Sequence, residues 1–334
     1  MHTDHDAGRG ATTTVTEVTD DALTGAPTSP PDEHAPRRRR PLVVALLVEA
    51  RPKQWAKNIL VFAAPGAASV LTERTELLQT LVAFVAFCLA ASGTYYLNDA
   101  GDAEADRRHP TKRFRPIAAG EIPVPLAQGI GGILIASSVA VSFLAHWQLA
   151  VTIVGYVVLT TTYTVWLKHV VVFDVIAVAA GFVLRAIAGA AATDVEISNW
   201  FFIVATFGSL FMVAGKRHAE VREVNGPRGS TRSTLTDYSE SYLEYLRSVS
   251  TGVVLVAYCL WAFEKADLAR TLQPQPVPWF QLSIVPFAIA ILRYAFLVDR
   301  GQGGAPEEVV LSDRVLIGLG AVWVVLFAIG LRAS

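Results

Sequence analysis

Three aspartates stand close together in Asn98-Asp99-Ala-Gly-Asp102-Ala-Glu-Ala-Asp106. Their spacing is i, i+3, i+7. On a helix this puts Asp99, Asp102 and Asp106 on one face, within about 60° of each other, and Glu104 on the far side. Like charges on one face repel unless a cation sits among them. Hard oxygen donors in this pattern suit Mg²⁺, which takes one or two carboxylates and leaves its other positions to water and substrate phosphates. The plainer alternative is a solvated acidic helix start, favoured by the helix dipole.

Five cations follow at once in Arg107-Arg108-His-Pro-Thr-Lys112-Arg113-Phe-Arg115-Pro116. Beside a metal site such a run reads as a phosphate clamp, with Lys112 and Arg115 as its candidates. Upstream lies Arg51-Pro52-Lys53-Gln54-Trp55-Ala56-Lys57-Asn58, where Lys53 and Lys57 are one helical turn apart. Interfacial anchoring by Trp and Lys explains that block equally well. Tyr163 and Lys168 close another apolar stretch, and Asp174 follows with no counter-charge beside it. Arg185 lies deeper, in Phe182-Val-Leu-Arg185-Ala-Ile-Ala-Gly189. An intramembrane arginine is costly, so it is expected to face a polar cavity or to be paired. Arg293 is nearer a helix end and is expected to snorkel. The last cluster is Gly215-Lys216-Arg217-His218-Ala-Glu220-Val-Arg-Glu223, where Lys216, Glu220 and Glu223 share a helical face. A self-paired amphipathic helix end is the alternative there.

The elements that must hold these groups are membrane helices. Of the 334 residues 52% are hydrophobic and only 17% charged, against roughly 25% charged in soluble domains. Mean hydropathy is +0.42. Residues 1–40 are polar and are expected to form a disordered tail, ending in the run Arg37 to Arg40 that suits anionic lipid. Residues 41–334 form the membrane domain. Nine apolar stretches of about spanning length cover 54–71, 77–97, 124–144, 149–167, 170–192, 198–214, 247–264, 279–298 and 313–331. Long runs without strict alternation select helices, so the expected fold is all-α. Lysine and arginine concentrate in the loops 98–123 and 215–246, which the positive-inside rule makes cytoplasmic together with the N-terminus. The segment 225–236 reads as a mobile loop.

Several classes are excluded. Cys88 and Cys259 both lie in apolar runs, which rules out a disulfide framework and a cysteine-based zinc site. A net charge of −1 gives no global polyanion-binding signature, so nucleic acid is not an expected partner. There is no Walker A, GxGxxG, HExxH or GxSxG motif.

Asn98-Asp99-x-x-Asp102-x-x-x-Asp106 between a second and third membrane helix resembles the first Asp-rich motif of the UbiA superfamily of intramembrane prenyltransferases. Arg51-Pro-x-x-Trp55-x-Lys57-Asn58, Tyr163-x-x-x-x-Lys168 and Phe182-x-x-Arg185-x-x-x-Gly189 resemble that family's other landmarks, in its order. The resemblance implies a cell-membrane protein of nine helices bundled around a central cavity. Cytoplasmic cap loops and a lateral opening for a polyprenyl chain go with it. One departure stands out. The family has a second Asp-rich motif after its sixth helix, where this chain has Lys216-Arg217-His218-Ala-Glu220. Fewer acids and more bases there suit substrates with additional phosphates. This resembles the branch that moves the 5-phosphoribosyl group of phosphoribosyl pyrophosphate (PRPP) to a polyprenyl (decaprenyl) phosphate for cell-wall arabinan.

What that branch implies is Mg²⁺ on Asp99, Asp102 and Asp106, with Lys112 and Arg115 assisting departure of pyrophosphate. Lys53, Asn58, Lys168 and Arg185 become candidates for the 5-phosphate and the lipid phosphate, and Lys57, Asn98 and Tyr163 are further substrate-binding candidates. Lys216, Arg217 and Glu220 cap the other side. The alternatives are a prenyltransferase with a prenyl diphosphate donor and an aromatic acceptor, or a transporter using Asp174 and Arg185 as a translocation pair. Oligomeric state is left open, a homo-oligomer included.

Overall fold

The computed structural model describes residues 40–224, 237–272, 277–302 and 306–333. The expected tail with Arg37 to Arg39, the loop 225–236 and the side chain of Glu223 lie outside the described residues. Among the described residues every regular element is a helix. In chain order these are α1 (Leu42–Glu49), α2 (Ala63–Ala67), α3 (Arg74–Gly101), α4 (Ala103–Arg108), α5 (Val124–Ser142) and α6 (Trp147–Val165). Then follow α7 (Phe173–Thr193), α8 (Asn199–Val224), α9 (Glu240–Leu272), α10 (Trp279–Leu297), α11 (Pro306–Ser312) and α12 (Arg314–Ala333). Eight of them, α3, α5 to α10 and α12, are long and apolar enough to cross a membrane.

Those eight coincide with the second to ninth apolar stretches. The first stretch is wound differently. Pro52–Phe62 is a 3-10 helix of 11 residues that runs directly into the five residues of α2. Pro65 and Gly66 stop regular α-helix soon after. At about 2.0 Å rise per 3-10 residue and 1.5 Å per α residue, the segment extends roughly 30 Å. That matches the depth of a bilayer core with fewer residues than an α-helix needs. The backbone of α7 receives it closely. A Cβ on Gly189 would lie 1.8 Å from the Val61 carbonyl oxygen, so only glycine fits.

Helices α3 and α7 are the most enclosed, with half or more of their apolar windows buried. Val61, Phe87, Leu149, Ile153 and Tyr156 form one core between the 3-10 segment, α3, α6 and α7. A second joins Ala45 of α1, Tyr96 and Ala100 of α3, and Ile117 and Ile122. Ile133 and Val158, by contrast, are more than half exposed, as lipid-facing positions must be. Arg293 does not snorkel alone: it donates to Asp313 at 2.8 Å, and Asp313 accepts from the Leu316 N–H at 2.8 Å at the start of α12.

Candidate active site

Antiparallel alternation of the long helices brings the ends of α3, α6, α8 and α10 to the same side as the starts of α5, α7, α9 and α12. The polar clusters gather on that side. In the first, Asp99 on the last turn of α3 and Asp106 on α4 are both buried. Arg115 lies beyond the short 3-10 turn Lys112–Phe114. Its Nη1 donates to Asp99 at 3.2 Å and to Asp106 at 2.7 Å. Arg51 also donates to Asp99, and its guanidinium lies over the Tyr95 ring at 4.6 Å. Arg51 has φ 53°, a left-handed conformation that a non-glycine side chain enters only when its surroundings hold it there. Asn98 donates to Asp99 at 3.3 Å, and the Lys112 Nζ is 3.9 Å from Asp106.

Of the three aspartates expected on one face, Asp99 and Asp106 share Arg115 and Asp102 does not. Helix α3 ends at Gly101 and α4 starts at Ala103, so Asp102 sits at the junction, half-exposed, and enters none of these ion pairs. A residue that the sequence reading left out takes a place instead. Glu49, the last residue of α1, is 2% exposed and lies in hydrogen-bonding contact with Asp99. Burial, and then the Asp99 carboxylate, push its carboxyl up to about 8 against the opposing pull of Arg51 and Arg115. Its Oε1 has no hydrogen-bond partner. Arg40, Glu49, Arg51, Asp99, Thr111 and Arg115 line a cavity of about 270 Å³.

Among the described residues no group of three or more His, Cys, Asp or Glu side chains converges as a metal cluster. The donor chemistry nevertheless fits Mg²⁺. Two buried carboxylates are hard donors, and Mg²⁺ fills its other positions with water and phosphate oxygen.

The second cluster joins α6, α7, α8 and the entry to α9. Arg217, 3% exposed, donates to Asp174 at 2.9 Å, to Glu220 and to the Tyr163 hydroxyl at 3.2 Å. Tyr238 donates to Asp174 and accepts from the Val172 N–H at 2.7 Å. Burial and the Asp174 hydrogen bond push the Tyr238 phenol well above its usual range. Lys216 stands 3.9 Å from Glu220 on the same helix. Helix α8 continues ten residues past its expected end at 214, which makes these charges one rigid extension. Lys168 is half-buried in the 3-10 turn Leu167–His169, close by in the chain.

Asn58 and Arg185 form a third, fully enclosed group. Arg185 donates to Asn58 at 2.8 Å, to the Gly181 carbonyl at 2.7 Å and to the Tyr156 hydroxyl at 3.0 Å. The Tyr156 ring lies 4.8 Å beneath it. Arg185 therefore points into protein, and Asp174 is paired with Arg217. The two do not form the translocation pair that transport would need. Of the remaining candidates, Lys53 is exposed and Lys57 half-buried on the 3-10 segment.

The UbiA prenyltransferase family model matches residues 59–312. A decaprenyl-phosphate phosphoribosyltransferase of Corynebacterium glutamicum is 45% identical over 313 residues, 92% of this chain and 93% of that protein. The protein of the same name from Mycolicibacterium smegmatis is 44% identical over 85% of this chain and 91% of its own length. Among solved structures, a UbiA homolog from Archaeoglobus fulgidus bound to GPP and Mg²⁺ superposes with a TM-score of 0.64. It covers 86% of this chain and 99% of its own at 15% identity, and so speaks for the fold. With the same helical architecture, an Asp-rich cluster at the end of α3 and a family match over most of its length, the chain belongs to the UbiA prenyltransferase family.

Proposed function

We propose that the protein transfers the 5-phosphoribosyl group of PRPP to decaprenyl phosphate, releasing pyrophosphate and giving decaprenylphosphoryl-5-phosphoribose. Near-full-length kinship with two transferases of that name supports the reading. The observation that carries the chemistry is the carboxylate pair Asp99 and Asp106 beside a cavity lined by Arg40, Arg51 and Arg115. A buried carboxylate pair and convergent guanidinium groups together suit a metal-chelated pyrophosphate.

In the reaction the bond from ribose C1 to the pyrophosphate oxygen breaks with its electron pair leaving on pyrophosphate. A lipid phosphate oxygen forms the new bond to C1. The nucleophile is already anionic, so no strong general base is needed. Arg51, Lys112 and Arg115 hold the departing charge in place as it develops. Asp99 and Asp106, with Asp102 on the adjoining turn, are the residues that would hold Mg²⁺, which when bound would supply charge neutralisation for the pyrophosphate. Lys53, Lys57, Lys168 and Lys216 are the cations for the remaining phosphates. Arg217, already engaged by Asp174 and Glu220, holds the α8 extension against Tyr163 rather than spending its donors on substrate. Asn58 and Arg185 fix the 3-10 segment to α7. The clusters face the cytoplasm in this reading, and the catalytic domain is 41–334.

The test is direct. Purified protein in detergent receives labelled PRPP, Mg²⁺ and decaprenyl phosphate, and the lipid is extracted. Label in lipid, dependent on Mg²⁺ and reduced about 10²–10³-fold by Asp99→Asn, is expected. Folded protein that leaves the lipid unlabelled, but prenylates an aromatic acceptor from a prenyl diphosphate, would overturn the assignment.

A further inference from the structure

Glu49 is not part of the Asp-rich motif or of any basic run, yet it lies inside the cavity that the proposed function uses. Its position is built, not incidental. Helix α1 folds back on α3, with Ala45 fully buried and the Tyr96 hydroxyl donating to the Leu46 carbonyl at 2.6 Å. One residue past Glu49, the Ala50 carbonyl accepts from Ser92 at 2.9 Å. The backbone is thus pinned to α3 on both sides of Glu49. The side chain is 2% exposed, one edge against Asp99, and Oε1 is left without a partner among the cavity-lining groups.

A buried acceptor without a donor is costly unless a ligand supplies one. An ionised phosphate cannot: its oxygens are acceptors with no donor to offer Oε1, and Arg40, Arg51 and Arg115 in the same cavity already offer them cationic donors. A neutral hydroxyl can. Resting on the reading of PRPP as donor, we propose that Glu49 accepts a hydrogen bond from the ribose 2,3-diol and thereby selects a sugar diphosphate over a prenyl diphosphate. The diol is the set of neutral donors on such a substrate. A prenyl diphosphate has none, and would leave Glu49 buried and unsatisfied, the situation in which polar sites discriminate most strongly.

The test is a ligand-and-residue cycle on the full chain in detergent with Mg²⁺, measured by calorimetry without acceptor lipid. The probes are a carbocyclic PRPP analogue, its 2,3-dideoxy counterpart and pyrophosphate. Wild-type protein is expected to bind the diol-bearing analogue at least about tenfold tighter than the dideoxy one. Glu49→Ala binds the two alike and keeps its affinity for pyrophosphate, whereas Glu49→Gln, which retains an acceptor oxygen, keeps part of the discrimination. Undiminished discrimination in Glu49→Ala overturns the proposal. So does a parallel loss of pyrophosphate binding, because Glu49 would then act on the anion or its metal. Wild-type protein that binds pyrophosphate but neither ribosyl analogue refutes the PRPP reading itself, and this inference with it.

Discussion

One nitrogen of Arg115 ties together two carboxylates that stand seven residues apart: Nη1 is 3.2 Å from Asp99 and 2.7 Å from Asp106. The guanidinium holds α4 onto the end of α3 across the break at Asp102, and it fixes the spacing of the two acids. Arg115→Lys keeps the charge but cannot reproduce the planar fork. A fall in kcat/KM of about 10²-fold or more is expected, with a smaller change in thermal midpoint, read from lipid labelling and unfolding of the same preparation. Unchanged kcat/KM would remove Arg115 from the site.

The pair of Arg217 and Asp174 is of another kind, since both side chains are almost wholly buried. Removing one partner strands the other charge, so Arg217→Met is expected to cost about 3–5 kcal/mol of stability. Asp174→Asn combined with Arg217→Met should recover a good part of that loss. Unfolding in detergent compares the variants; equal destabilisation by the single and double changes would argue against a mutual ion pair.

Two glycines in the spanning helices should respond in opposite ways. Gly189→Ala drives a methyl into the Val61 carbonyl and is expected to destabilise by about 3 kcal/mol or more. Gly155→Ala on α6 meets nothing within 4 Å and should be neutral or stabilise by up to about 1 kcal/mol. Yield of folded protein and thermal midpoint separate the two.

Glu49 gives a pH dependence with a definite sign. Its carboxyl stands at about 8 in the fold against 4.5 for the free side chain. The folded state therefore binds the proton more tightly. That contribution is fully present below pH 4.5 and is lost as pH rises to about 8. In metal-free buffer, the midpoint of wild-type protein should fall relative to Glu49→Gln across that window. Parallel profiles would show that the carboxyl does not titrate there.

The spanning helices were legible because apolar run length reports lipid contact directly; the stretch 124–144 became Val124–Ser142 with little change. The 3-10 segment was not, since hydropathy counts apolar residues and says nothing of how tightly they are wound. The basic block at 51–58 stood out in the sequence, but its parts separated: Arg51 reached Asp99 while Asn58 turned inward to Arg185. Arg217 was a visible cation whose partner, Asp174, lies 43 residues away on another helix. Glu49 was invisible for a related reason. An acid closing a short apolar run reads as an interfacial flank, and only the fold-back of α1 on α3 buries it.

The winding of Pro52–Phe62 makes it a spacer of set length. It is clamped at one end where Val61 meets Gly189, and it delivers Arg51 to Asp99 at the other. Rewound as α-helix, its 11 residues would shorten by about 5 Å, enough to withdraw the guanidinium from the carboxylate. Insertion or deletion of one residue between these two anchors would likewise shift the cationic rim of the cavity by a whole residue's rise. The chain therefore carries, in a stretch with no acid of its own, the measure that sets how closely charge meets charge at the mouth of the bundle.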